Sequence, residues 1–248
     1  ALLQEVPGQD VGETVGVLYS INPNALGISP VPFLDQPVAG PNGVLSHIDT
    51  TAGNAIIAAD DMVLSEAITL TSVQANGFQN GSDLVNTATS VALYVWADAG
   101  GLPAGSPFDL NANALLELIV PVPNPSLSLV DDTITFDLVG LGQALALDAG
   151  TYWVGVQPNS SGSWGWFYGP TTATGDAVLI GPDFGIFDWN SLLNLGLPEG
   201  QSLSMQLSAA VDCGAAWLSE APASGNVPAG TSGTVTVTFD SSGLGRGS

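Results

Sequence analysis

Apolar residues recur at every second position in five separate runs of this chain. The runs are Val91, Leu93 and Val95; Ile134, Phe136 and Leu138; Tyr152, Val154 and Val156; Leu203, Met205 and Leu207; and Val235, Val237 and Phe239. Thr133, Thr135 and Asp137 alternate with the second run, and Thr234, Thr236 and Thr238 with the last. Successive side chains of a strand point to opposite faces of a sheet, so this period gives each run one apolar and one polar face. Turn formers separate the runs: Asn76-Gly77, Asn80-Gly81-Ser82, Ala99-Gly100-Gly101, Asp148-Ala149-Gly150 and Ser160-Ser161-Gly162. Helical periodicity is weak, and only short helical turns are expected, at 112–119 and 191–195.

These features predict an all-β fold, an antiparallel jelly-roll-like β-sandwich with extended N- and C-terminal strand segments. The 248 residues suffice for one large sandwich and an appendage, or for two small domains. Three regions are expected. Residues 1–40 form an extended lead-in with one strand, residues 41–211 hold the sandwich, and residues 212–248 form a tail of different rhythm.

Charge narrows the function. The chain carries 23 Asp and Glu against one Lys or Arg, Arg246, for a formal net charge of −22. Phosphate binding needs basic side chains to displace counterions, so nucleic acid is excluded as a partner. Anionic membrane surfaces are excluded for the same reason, and no apolar run is long enough for a membrane-spanning helix. The single cysteine, Cys213, allows no intrachain disulfide and reads as a small buried apolar residue. The start at Ala1-Leu2-Leu3 fits a mature N-terminus left after signal cleavage, so a secreted, extracellular or cell-surface protein is expected. Asn80-Gly81-Ser82 and Asn159-Ser160-Ser161 match the glycosylation acceptor pattern.

The middle region resembles a family of bacterial secreted β-sandwich domains. The resemblance rests on Ala59-Asp60-Asp61-Met62, Thr71-Ser72-Val73 with Gly77-Phe78, and the run Trp96-Ala97-Asp98-Ala99-Gly100-Gly101-Leu102-Pro103-Ala104-Gly105. It extends to Leu147-Asp148-Ala149-Gly150-Thr151-Tyr152-Trp153 and Trp164-Gly165-Trp166, and it departs at Met62, where the family has Phe. The tail resembles the first half of an immunoglobulin-like surface-protein repeat, through Trp217-Leu218-Ser219, Pro222, Ser224-Gly225, Pro228-Ala229-Gly230 and 234–240. The resemblance implies a β-sandwich and an extracellular setting, and it carries no catalytic residue.

No enzyme is expected. His47 is the only histidine, lies in Ser46-His47-Ile48-Asp49, and lacks a nucleophile-elbow pattern around it. Without Lys there is no Schiff-base chemistry, and one His with one Cys cannot make an ordinary zinc site. A glycosidase pair would draw on Glu5, Glu13, Glu66, Glu117, Glu199 and Glu220, none of them in an aromatic setting. Among ions, Ca²⁺ is the one to consider, at the doublets Asp60-Asp61 and Asp131-Asp132, although neither sits in a D-x-D-x-D-G loop. Trp164, Trp166 and Tyr168 share one face of a strand and would offer stacking faces to an extracellular glycan if exposed, or cap the core if not.

Assembly is the preferred reading. The tail has too few residues for a core of its own. The apolar face and open edge of Val235, Val237 and Phe239 need a cover. The lead-in strand at Val15, Val17 and Tyr19 has the same character. The cover is either the body of the same molecule or a neighbour by strand addition. The expected function is a non-enzymatic extracellular structural subunit that self-assembles with copies of itself into a filament, sheath or surface layer. The alternative is a carbohydrate-binding or adhesive accessory module of a larger secreted protein.

Overall fold

The computed structural model describes residues 16–18, 31–49, 51–79, 81–110, 112–170, 175–197, 202–210, 218–221, 226–228 and 236–239. The chain is nearly all β, as the alternation predicts. It divides into two compact units, one of residues Pro30–Ala210 and one of Ala1–Ser29 with Val211–Ser248.

Strands are numbered in chain order. The smaller unit opens with β1 (Gly16–Leu18). The larger unit begins with β2 (Val31–Gln36), β3 (Gly43–Leu45), β4 (His47–Asp49), β5 (Asn54–Leu64), β6 (Ile68–Ala75) and β7 (Gly77–Gln79). One helical turn, α1 (Leu84–Thr87), precedes β8 (Ala88–Ala97), β9 (Leu116–Pro121), β10 (Leu127–Val130), β11 (Thr133–Asp137) and β12 (Leu145–Leu147). Then come β13 (Gly150–Ser160), β14 (Trp164–Phe167), β15 (Val178–Gly181), β16 (Ile186–Ser191) and β17 (Met205–Ala210). The smaller unit ends with β18 (Leu218–Ala221), β19 (Asn226–Pro228) and β20 (Thr236–Phe239).

In the larger unit, one sheet runs β10-β11-β6-β17-β2, with β12 also on β6. The other runs β16-β15-β5-β4-β13-β8-β9, and β5 also pairs directly with β13. A small sheet, β3-β14-β7, carries the tryptophan pair. Pairing is antiparallel apart from β4 with β13. The main core gathers Leu70, Val73, Ile134, Phe136, Met205 and Leu207 from the first sheet against Met62, Val91, Leu93, Val95, Val154 and Val156 from the second. All but Met62, Leu70 and Val73 belong to four of the alternating runs.

Three expectations change. Strand β2, within the predicted lead-in, belongs to the sandwich, because its backbone pairs along β17. The segment 112–119 is not helical, since its second half is β9, paired with β8 from Val95↔Leu116 to Ser90↔Pro121. The spacing of Ala112, Leu116 and Ile119 suits a helix, and the ladder with β8 overrides it, leaving Leu116 buried and Ile119 exposed on opposite faces. The middle of the second sheet is also buried on both faces. Ala92, Tyr94 and Trp96 alternate with the inward residues of β8 and form a second core with Ile57, Trp153, Val178 and Ile180.

The connection from β8 to β9 covers that second core. Ala104 N–H donates to Ala97 O at 3.0 Å, and Leu115 N–H donates to Val95 O at 2.8 Å, which pins both ends. Trp96 Nε1 donates to Ala112 O (2.9 Å) and Trp189 Nε1 to Gly105 O (2.8 Å). Trp153 Nε1 donates to Asp98 Oδ1 at 2.9 Å, and this bond chiefly holds the Asp98 carboxyl below the usual range. The rings of Tyr94 and Trp96 stack at 5.1 Å, and Trp189 meets Trp96 edge-on at 5.6 Å. The Gly-Gly-Leu-Pro run therefore begins a cover over the sheet.

The smaller unit contains two ladders among its described residues. β1 pairs with β19, Gly16 opposite Pro228, and β18 pairs with β20, Leu218 opposite Phe239.

Candidate functional site

The feature that general strand rules do not explain is a carboxyl inside the main core. β5 is long and central, and its residues alternate between the two cores. Ala58 and Met62 face the main core, so Asp60 faces it too, while Asp61 shares the opposite face with Ala59. Asp60 is 0% exposed. Its Oδ1 accepts from Asp61 N–H at 3.0 Å and its Oδ2 from Leu203 N–H at 2.7 Å. With its amide turned to suit its neighbours, Gln36 Nε2 donates to Leu203 O at 2.7 Å and to Asp60 Oδ2 at 3.1 Å.

Neutral groups extend this centre. Ser204 Oγ donates to Gln36 O (2.9 Å), Asn76 Nδ2 donates to Ser204 Oγ (2.8 Å), and Trp166 Nε1 donates to Ser204 O (2.7 Å). The network thus ties the last residue of β2, the middle of β5, the approach to β17 and β14. Burial pushes the Asp60 carboxyl well above the usual carboxylate range, outweighing the Leu203 amide, and the neighbouring Asp61 charge adds to the rise. The sequence signal for this burial is the run from Ala55 to Ala59, apolar on both parities, which marks a strand covered on both faces.

The acid doublets take different places from a shared ion site. Asp60 and Asp61 point to opposite faces of β5. Asp131 and Asp132 form the two-residue turn joining β10 to β11, with φ of 51° and 61°. Asp132 is a hub: its Oδ2 accepts from Gln79 N–H at 2.9 Å, its Oδ1 from Leu84 N–H at 2.7 Å, and its carbonyl from Trp164 Nε1 at 2.8 Å. Among the described residues no group of three or more His, Cys, Asp or Glu is placed to hold a metal ion. Asp132→Ala strands the two backbone donors, and we expect a loss of about 1–3 kcal/mol for each. Asp132→Asn keeps one acceptor and tolerates the left-handed backbone. Thermal melts should rank wild type above Asn and Asn above Ala, and an Ala variant as stable as wild type would refute the hub.

The aromatic stripe requires a correction. Trp164 and Trp166 are 0% exposed and Tyr168 is 6% exposed, all packed in the main core. They share a face as the period requires, but it is the inward face, and no ring face is open to a sugar. His47 is also internal. Its Nδ1 lies 3.3 Å from Trp164 O, which suits the Nδ1–H tautomer, and burial lowers its basicity. Of the acceptor patterns, Asn159 sits on β13 between β8 and β4 with its Oδ1 buried, and Asn80 lies outside the described residues.

The strand segments expected to assemble have partners within the chain. Val17 lies in β1, opposite Val227 of β19. Val237 and Phe239 lie in β20, opposite Glu220 and Leu218 of β18. Val15, Tyr19, Val235 and Cys213 lie outside the described residues. No protein-family model and no curated protein matches the chain.

Proposed function

We propose that this protein is a non-enzymatic structural subunit, secreted to the cell exterior or surface, that self-assembles by non-covalent strand addition. The observation that carries the reading is the pair of two-strand ladders among the described residues of the smaller unit, β1 with β19 and β18 with β20. A two-strand ladder alone is marginal in water, and further strands or a packed face make it stable. Strands from a second copy supply both. The edges of the sandwich support the same reading. Val31 and Phe33 on β2, Val130 on β10, Ile119 on β9 and Phe187 on β16 are exposed apolar side chains on outer strands. Natural edges are often guarded by lysine, which this chain lacks. The resemblance to bacterial secreted β-sandwich domains supports the extracellular setting. Burial of Trp164, Trp166 and Tyr168 leaves no aromatic platform there for a glycan.

Self-repulsion at −22 opposes assembly, and salt screens it. We expect negative-stain electron microscopy near neutral pH to show dispersed particles in low salt and regular filaments or sheets in high salt. Removing residues 231–248 takes away β20 and should abolish them. Dispersed particles at every ionic strength, or assemblies that dissolve as salt rises, would overturn the proposal.

A further inference from the structure

The Asp60 centre joins a buried acid to an edge strand. β2 pairs on one side only, with β17, and carries Pro32, which has no N–H to donate. Val31, Pro32 and Phe33 are exposed, and the burial of β2 deepens only at its end, where Gln36 is 3% exposed. The bond from Gln36 to Asp60 and the bond from Ser204 to Gln36 O therefore fasten β2 at its one buried end. β5, by contrast, is held on both sides by β15 and β13.

Among the described residues no Lys or Arg offsets Asp60. The chain has no Lys, and its one Arg is Arg246. The titratable groups around the centre are Asp61 behind it on β5, Asp35 beside Gln36 on β2, and His47 and Tyr168 in the same core. Residues from β13, β6 and β17 facing the core, Val154, Val73, Met205 and Leu207, are apolar. An anion at Asp60 would rest on three neutral hydrogen-bond donors and face repulsion from Asp61.

We propose that Asp60 is a proton-operated latch on β2, closed while its carboxyl is neutral and released by local opening of β2 when the carboxyl ionises. A buried anion is relieved most cheaply by the smallest opening that admits water. That opening lifts the edge strand and bares the β17 edge, leaving β5 in place. The latch does not depend on self-assembly, and either can fail without the other.

The sign follows from proton binding. The closed form holds the Asp60 proton to a higher pH than the open form, in which Asp60 is an ordinary carboxyl. Closure is fully favoured below the ordinary carboxyl range and weakens as pH rises toward the closed-state midpoint. Across that window one proton leaves per opening, so the opening constant climbs up to about tenfold per pH unit, then levels off.

The test is hydrogen exchange of the full chain, dilute and in low salt, corrected for intrinsic exchange and read on the amides of β2 and β17. Protection there should fall with rising pH in wild type and in Asp61→Asn, but stay flat in Asp60→Asn, while β5 and β13 hold their protection. Equal pH dependence in Asp60→Asn, or none in wild type, would overturn the latch. Should Asp60→Asn not fold, carboxyl ¹³C titration of the wild-type chain decides. One aspartate titrating well above the others, in step with β2 exchange, supports it, and its absence refutes it.

Discussion

Trp96→Ala is expected to destabilise the larger unit by about 3–5 kcal/mol, the usual loss when a buried aromatic is truncated to alanine. At roughly 2–4 °C per kcal/mol for a chain of this size, the melting temperature should fall by about 10 °C. The side chain is fully buried, stacks on Tyr94, meets Trp189 edge-on and donates to Ala112 O. Its removal opens a cavity directly beneath the cover formed by the β8–β9 connection. The main core lies on the other face of β8 and keeps its packing. Two readouts follow: a lower melting temperature, and faster cleavage between Ala99 and Leu115 by a protease of broad specificity. Trp96→Phe fills part of the space without the Ala112 bond and should fall between. An alanine variant that melts with wild type and resists cleavage equally would show that the second core does not anchor the cover.

Gly77→Ala and Gly43→Ala should be comparably severe for the opposite reason. In the small sheet, aromatic rings pack closely against glycines of other strands. The indole of Trp164 covers Gly77, and the ring of Phe78 lies against Gly43 and Gly165. A methyl at Gly77 would collide with the Trp164 ring, whose Nε1 is committed to Asp132 O and cannot simply slide away. At Gly43 the methyl would strike the backbone carbonyl of Trp166, the strand partner of Val44, where no rotamer change gives relief. Overpacking of this kind typically costs about 1–3 kcal/mol, and loss of the β3–β14 ladder would add to it. Calorimetry and tryptophan emission should both report it, since Trp164 would leave its buried site. Gly40→Ala, where the added methyl meets nothing, is the control. Melting temperatures that match this control in both variants would refute the close-approach argument.

Parts of this structure were open to reading from residues alone. The four alternating runs at Val91, Ile134, Val154 and Leu203 place their apolar members in the main core, because a strand's period leaves no other way to hide them. The residues 191–195 close one turn, with Leu195 N–H donating to Ser191 O. The buried site was less visible. Asp60-Asp61 reads as a pair of solvated acids until the strand is known to be covered on both faces. Trp164, Trp166 and Tyr168 reveal a common face, but period alone is silent on whether that face meets water.

The all-β class, the parity of the four buried alternating runs and a charge balance with no Lys and one Arg were legible in the residues alone. Those follow from local rules: alternation along a strand, turn chemistry and a count of charges. Which faces are covered depended on long-range packing. The β8–β9 connection folds over the second sheet, β2 joins the edge of the first, and Leu203 and Gln36 meet Asp60 across the core. Each of these depends on residues far apart in the chain arriving at one place, and burial is a property of that meeting rather than of any segment alone.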